Sequence, residues 1–180
     1  MTLPTEIETD RLILRRWRDA DVEPFAEMNA DPKVMEFFPD VMTIEETQES
    51  VERYRRHFDA HGFGFWVAEL QGSDSFAGVI GIAHTRFDSH FTPAVEVGWR
   101  LAAKHWGNGY APEGALAAID FAFRHVGLKE VVAMTAAGNL KSRRVMEKIG
   151  MTWDAKDEFD HPLVPSDHFT FRHVLYRIVP

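Results

Sequence analysis

Residues 105–112, HWGNGYAP, put two glycines, an alanine and a proline between a strand-like run and a helix-like run. A strand that feeds a helix through such a turn gathers free backbone N–H groups and the positive end of the helix dipole at one spot, and so makes an anion site. Pro112 suits the first helical turn, where its missing N–H costs nothing. Gly107 and Gly109 are equally compatible with a tight left-handed turn packed closely on a sheet. Two phosphate motifs fail here. A dinucleotide fingerprint needs a third glycine where this chain has Pro112, and an acid at the far end of the next strand, whereas Glu130 begins it. A triphosphate loop needs Gly-Lys followed by Ser or Thr, and none exists.

A helix N-terminus gives an anion about 0.3 to 1 kcal/mol, up to about 2 when partly buried. Micromolar binding needs about 8 kcal/mol, so further groups must converge. Arg100, Lys104 and His105 precede the turn, and Lys141, Arg143 and Arg144 follow in the next helical run. In AGNLKSRRVMEKIGM, Asn139 stands where a helix cap belongs. Ser142 shares a stripe with Val145, Met146 and Ile149, the apolar face of that helix. A hydroxyl there either bonds a carbonyl one turn back or faces a ligand. His57 and His61 have the i, i+4 spacing of metal ligands on a helix, but with no third ligand nearby in sequence they read as surface positions, and no metal is expected.

The elements that must hold these residues are legible in outline. DRLILRRW (10–17) alternates as a strand, and DADVEPFAEMNA follows as a helix capped by Asp19 or Asp21. Thr43 with Glu46 forms a capping box for a helix that runs to His61 and stops at Gly62. Residues 63–70, 75–85 and 94–101 read as three strands of an antiparallel meander, the first two joined through Gly72, Ser73 and Asp74. A helix over Glu113 to His125 should bury Leu116, Ile119, Ala122, Phe123 and Val126 and end at Gly127. Residues 130–137 form an interior strand, LKSRRVMEKIG a short helix ending at Gly150, residues 169–178 a last strand, and the stretch between is mostly loop. The expected fold class is α/β. It comprises one domain over residues 1–180, with a mixed, mostly antiparallel sheet, helices on both faces and one central strand–turn–helix–strand crossover.

Composition sets limits. The chain has 180 residues, 45% hydrophobic and 27% charged, with neither repeats nor low complexity, as in a globular domain with a real core. Neither a signal peptide nor a membrane span is legible, so a cytoplasmic location is expected. No cysteine exists, which excludes a thiol nucleophile, a disulfide and sulfur-ligated zinc. Twenty basic against 28 acidic side chains, net −8, argue against nucleic acid or an anionic membrane as partner, and an anionic ligand would need a local basic patch.

Taken together, TDRLILRRW, AVEVGWRL, WGNGYAPEG and NLKSRRVMEKIGM resemble the GCN5-related N-acetyltransferase (GNAT) superfamily, in its RimJ/RimL-like branch, over nearly the whole chain. The family's pyrophosphate motif is Gln or Arg, two residues, Gly, one residue, then Gly or Ala. Trp106, Gly109 and Ala111 occupy those places, with Trp at the first as is usual in this branch. The resemblance implies acetyl-CoA as cosubstrate and no metal. It implies that Trp106, Gly107, Asn108, Gly109, Tyr110 and Ala111 hold the pyrophosphate, that Trp99, Arg100 and Leu101 pair with the pantetheine arm, and that Asn139, Ser142 and Arg144 assist.

Direct transfer to a primary amine, on a small molecule or a protein N-terminus, requires a deprotonated amine, a stabilised oxyanion and a protonated leaving thiolate. The resemblance points to a backbone N–H between Val97 and Trp99 for the oxyanion. Where many relatives have a tyrosine acid this chain has Met146, so Ser142 is the expected acid and Tyr176 a weaker substitute. Glu96 is the expected base, or else a structural ion pair, with His84 and His105 as further possibilities. Phe37, Phe38, Trp66, Phe159 and His161 are acceptor-site candidates by location. A monomer or homodimer fits, and a non-catalytic acyl-CoA sensor or partner subunit is the competing reading.

Overall fold

The computed structural model describes residues 3–73 and 75–180. Nine strands form one sheet: β1 (Ile7–Glu8), β2 (Leu12–Arg15), β3 (Phe65–Leu70), β4 (Ser75–His84), β5 (Val95–Leu101), β6 (Val131–Ala136), β7 (Thr152–Trp153), β8 (Phe159–Asp160) and β9 (Arg172–Ile178). Their order is β1-β2-β3-β4-β5-β6-β9-β7, with β8 also on β9. Every pairing is antiparallel except β5 with β6. The expected meander of β3, β4 and β5 is therefore present, as is the crossover. Of the turn expected between β3 and β4, Gly72 and Ser73 are described and Asp74 lies outside the described residues.

Four helices cover the sheet: α1 (Val22–Asn29), α2 (Ile44–His61), α3 (Tyr110–Phe121) and α4 (Leu140–Lys148). Their sides follow from strand alternation. Leu12, Leu14, Ile80 and Ile82 pack with Ala115, Ala118 and Ile119 of α3 and Met146 of α4. Val67 and Val79 pack on the other face with Phe25 and Met28 of α1 and Val51 of α2, while Phe58 near the C-terminal end of α2 packs with the first group. The α2 capping box forms as expected: the Glu46 N–H donates to Thr43 Oγ1, the Thr43 N–H donates to Glu46 Oε2, and Gly62 closes the helix at φ 76°.

α3 departs from expectation at both ends. It begins at Tyr110 behind Gly109, and residues Ala122–Val126 widen into a π turn before Gly127. Its buried arc is Gly114, Ala115, Ala118, Ile119, Phe121 and Ala122, while Leu116 is exposed. The small residues win that arc because the helix lies close to the sheet: a methyl on Gly114 would collide with Ile80. Asp21 occupies the N-cap position of α1, as expected, but its carboxylate accepts from the Arg18 N–H at the head of the preceding 3-10 turn instead of from α1.

That same Asp21 carboxylate joins Arg15 and Glu69 in a fully buried cluster. Arg15 donates Nε to Glu69 at 2.6 Å and its two terminal nitrogens to Asp21 at 2.8 Å each. The two carboxylates hold the Arg15 proton more tightly than usual. Arg15→Met would leave the buried Asp21 without a cation and Glu69 with only the exposed Arg18 at 3.5 Å, a loss of roughly 3–5 kcal/mol, or about 10 °C in Tm for a chain of this size. Thermal unfolding by circular dichroism checks this, and an unchanged Tm would contradict it.

Candidate active site

The 105–112 junction is a left-handed double turn. Gly107 sits at φ 80° and Gly109 at φ 81°, a region that side chains with a Cβ enter at a cost. Among the described residues, the backbone N–H groups of Gly107, Asn108, Gly109, Tyr110 and Ala111 donate to nothing. Long-range contacts brace the turn. Arg11 donates to the Asn108 carbonyl at 2.8 Å, lies over the Tyr110 ring and forms an ion pair with Glu113 at 2.6 Å. Glu113 also accepts from the Thr9 hydroxyl and the Arg11 N–H. The Trp106 indole donates to the Leu101 carbonyl at 2.8 Å, tying the turn to the end of β5.

Next to the turn the sheet opens. β5 pairs with β4 along its whole length, Val95 with His84 through Leu101 with Gly78, but with β6 only at Glu96↔Val132. Beyond Glu96 the second edge of β5 is unpaired, while β6 continues against β9. A cavity of about 340 Å³ lies in this split, walled by Trp99, Arg100, Leu101, Trp106, Gly107 and Gly109, with Tyr110, Ala111, Asn139, Ser142 and Arg144 completing it. Lys33, Lys141 and Lys148 join Arg144 on its rim, against the single acid Glu36. An acidic chain thus carries the local basic patch that an anionic ligand requires. Lys33 and Lys141 stack their ammonium groups on Trp106. His105 lies on the same wall, its Nε2 without a partner among the described residues, and burial lowers its pKa.

A second cavity of about 480 Å³ continues from the first and shares Phe37, Trp99, Arg100, Asn139 and Ser142 with it. Its apolar walls include Phe38, Phe65, Phe87, Met134, Leu163 and Val164. Glu96 is its one acid, and its side chain has no hydrogen-bond partner among the described residues. Burial pushes that carboxyl up to about 7, and the nearby Arg86 charge only partly offsets this. Arg100 donates to Asn29 Oδ1 at 2.7 Å and stacks on Phe38 at 4.1 Å, yet no carboxylate faces it and its Nε is unsatisfied among the described residues. Burial lowers its pKa. His161 and His173 line the same space with rings 4.7 Å apart, and burial lowers both, His173 to about 4.

Most sequence-derived site residues therefore converge. Asn139 caps α4 by accepting from the Ser142 N–H at 3.2 Å, and donates to Thr135 Oγ1 at 3.0 Å. The capping side chain also lines both cavities. The Ser142 hydroxyl bonds to no described residue and faces the junction of the two cavities. Asn108 is off the wall; its side chain donates to the His105 and Trp106 carbonyls and stiffens the turn. Arg143 points away, bonding Tyr176 Oη and the Ala137 carbonyl. Tyr176 is core, held between Arg143 and Glu147, and lines neither cavity. Trp66 is fully buried and Phe159 is core, whereas Phe37, Phe38 and His161 do line the second cavity. His84 lines neither.

Sequence reasoning missed Lys33, Lys148, Arg86 and the Arg11–Glu113 brace. Each reaches the site through tertiary packing and has no local signature, though Glu113 at the start of a helix was a visible candidate for such a brace.

The sequence profile of the acetyltransferase (GNAT) domain matches residues 11–152. The chain is 34% identical to the Bacillus subtilis (strain 168) protein YkkB over 152 residues, 84% of this chain and 87% of that one. Its fold superposes on an acetyltransferase from Agrobacterium tumefaciens with a TM-score of 0.80 at 28% identity, covering 100% of this chain and 96% of the other. It also superposes on Mycobacterium smegmatis RimJ in complex with CoA-disulfide, TM-score 0.74, 20% identity, 93% and 81% covered, a likeness of fold. The chain belongs to the GNAT acetyltransferase family. It is an acetyl-CoA-dependent N-acetyltransferase and acts on an amine. Among the described residues no helix is long and apolar enough to cross a membrane.

Proposed function

We infer that the two joined cavities serve the two substrates of a direct transfer. The observation that carries this reading is the shared wall of Trp99, Asn139 and Ser142: a ligand anchored at the glycine turn and extended along β5 ends where the second cavity, with Glu96, begins. The free N–H groups of residues 107–111 take the pyrophosphate, helped by Lys33, Lys141, Arg144 and Lys148. The pantetheine arm takes the unpaired edge of β5 at Trp99 to Leu101. This extended pairing supplies the affinity a helix terminus alone lacks. A backbone N–H between Val97 and Trp99 meets the thioester oxygen. Glu96 takes the proton of the attacking amine, directly or through one water, and Ser142 returns a proton to the CoA thiolate.

The second cavity also favours an acceptor class. Its walls are aromatic and aliphatic, and its fixed charges are two arginines, Arg86 and Arg100, against the single acid Glu96. A polyamine or aminoglycoside would bring further cations towards Arg86 and Arg100. A primary amine with an apolar or aromatic body, with or without a carboxylate for Arg100, meets no such cost. An acetyl-CoA-dependent enzyme whose described helices cannot span a membrane fits a cytoplasmic setting.

Calorimetric titration with acetyl-CoA, followed by thiol release across a panel of aromatic amines, amino acids, peptides and polyamines, tests the reading. Turnover should favour apolar monoamines. A preference for polyamines would overturn the acceptor assignment, and binding without any turnover would leave only an acyl-CoA sensor. On the best acceptor, Ser142→Ala should keep acetyl-CoA affinity and lose roughly 100-fold in kcat. That is the lower end for a general acid, because a thiol of pKa about 8.5 leaves tolerably unaided. Full turnover in the variant would remove Ser142 as the acid.

A further inference from the structure

The last turn of α2 and the end of β4 bring together three histidines that the acetyl transfer does not use. His57 and His61 lie one turn apart on α2, and the sheet register delivers the third ring, His84. Ligand-capable nitrogens of all three lie within 4.8 Å of one another. The ring centroids are 4.5 Å apart for His57–His61 and His61–His84, and 5.4 Å for His57–His84. The two-residue pattern in the sequence thus gains the third donor it lacked.

The local chemistry suits a metal. His57 Nδ1 is 2.8 Å from the Phe63 carbonyl, so this nitrogen carries the proton and the Nε2 lone pair faces the cluster, where it accepts the His84 backbone N–H at 3.2 Å, a bond that a bound ion would replace. A backbone-anchored Nδ1–H that fixes ring and tautomer is the usual second partner of a metal-bound imidazole. His57 Nε2 and His84 Nδ1 stand 3.3 Å apart, long for a hydrogen bond. It also equals the edge of about 3.3 Å of a tetrahedron with metal–nitrogen bonds of about 2.0 Å. His84 can move its ring proton to Nε2 and free Nδ1. The His61 ring is exposed and bonds to no described residue, so it can swing to close the third position.

We propose that His57, His61 and His84 bind one divalent transition-metal ion of the zinc type, with water in the fourth position. Three neutral imidazoles and no thiolate or carboxylate suit zinc, nickel, copper or cobalt and not magnesium or calcium. The site is separate from acetyl transfer. Alternation along β4 puts His84 on the face of Ile80 and Ile82, opposite Ala83 and its partner Glu96, and none of the three rings lines either cavity. The ion would pin the C-terminal end of α2 to the end of β4.

Protein free of any histidine tag and stripped with a chelator should bind zinc chloride with one-to-one stoichiometry by calorimetry. At about 100 times Kd, zinc should raise Tm by about 5–10 °C. Cobalt should give the visible bands of a tetrahedral site. His61→Gln, at an exposed position, should weaken zinc at least about tenfold and abolish the cobalt bands, while circular dichroism and acetyl-CoA affinity stay as in the parent. Absence of saturable one-to-one binding, or an equal zinc affinity in His61→Gln, would overturn the proposal.

Discussion

Glu96→Gln should lower kcat by about 100-fold or more at about pH 8, the scale of a lost general base, while acetyl-CoA binds as before. The pH profile carries the sharper signature. The Glu96 carboxyl sits among apolar walls and is pushed up to about 7, so the basic form appears as pH rises through neutrality. The wild-type rate should climb through about 7 and level off, and the glutamine variant should lack that limb. Stability should move the other way. A carboxyl with a folded pKa of about 7 and an unfolded value near 4.5 costs nothing below the lower value. The cost grows as pH rises between the two and is complete above 7, at about 3 kcal/mol as an upper bound. Glutamine carries no such cost. The variant should therefore gain Tm relative to the parent at about pH 8 and gain little at about pH 4. A retained limb in the rate, or a Tm difference independent of pH, would sink Glu96 as the base.

The second large effect concerns the turn. Gly109→Asp should weaken acetyl-CoA binding by at least about 100-fold, while Gly109→Asn should bind close to the parent. The two replacements have the same size, and both tolerate the left-handed backbone better than other side chains, so their difference isolates charge. A carboxylate about 5 Å from a bound pyrophosphate costs about 3 kcal/mol per unit of ligand charge at an effective dielectric of about 20. Arg11 lies 3.3 Å from where the new Cβ would stand, but Glu113 already holds that guanidinium. Equal affinities for the two variants would mean that the pyrophosphate does not sit at this turn.

How far these residues were visible beforehand depended on how local their constraints are. The Thr43–Glu46 box, the Gly62 stop and the 107–109 turn are set by backbone geometry within a few positions, and a sequence carries such constraints openly. Leu116 was misjudged because spacings of three and four reveal an amphipathic helix without telling which arc meets the sheet; the close approach at Gly114 hands the buried arc to alanines. The acceptor cavity was mostly hidden. Arg86 and Phe87 leave β4, His161 and Leu163 come from the loop before β9, and only the folded register joins them. Trp66 and Phe159 were drawn in by their aromatic character, which serves a core as readily as a pocket. The metal-like trio failed on the same count: His84 lies 23 positions beyond His61 in number and one ring away in space.

The single parallel pairing at Glu96↔Val132 has a mechanical meaning. The sheet has two halves, β1 to β5 and β6 to β9, joined at one ladder rung at Glu96 and splayed towards the glycine turn. A cosubstrate lying in that splay would act as a missing strand, supplying acceptors to idle amides of β5 and binding the halves into one elastic body. Amide hydrogen exchange in β5 would then slow when acetyl-CoA arrives and quicken when CoA departs, so that each catalytic cycle would tighten and release the centre of the molecule.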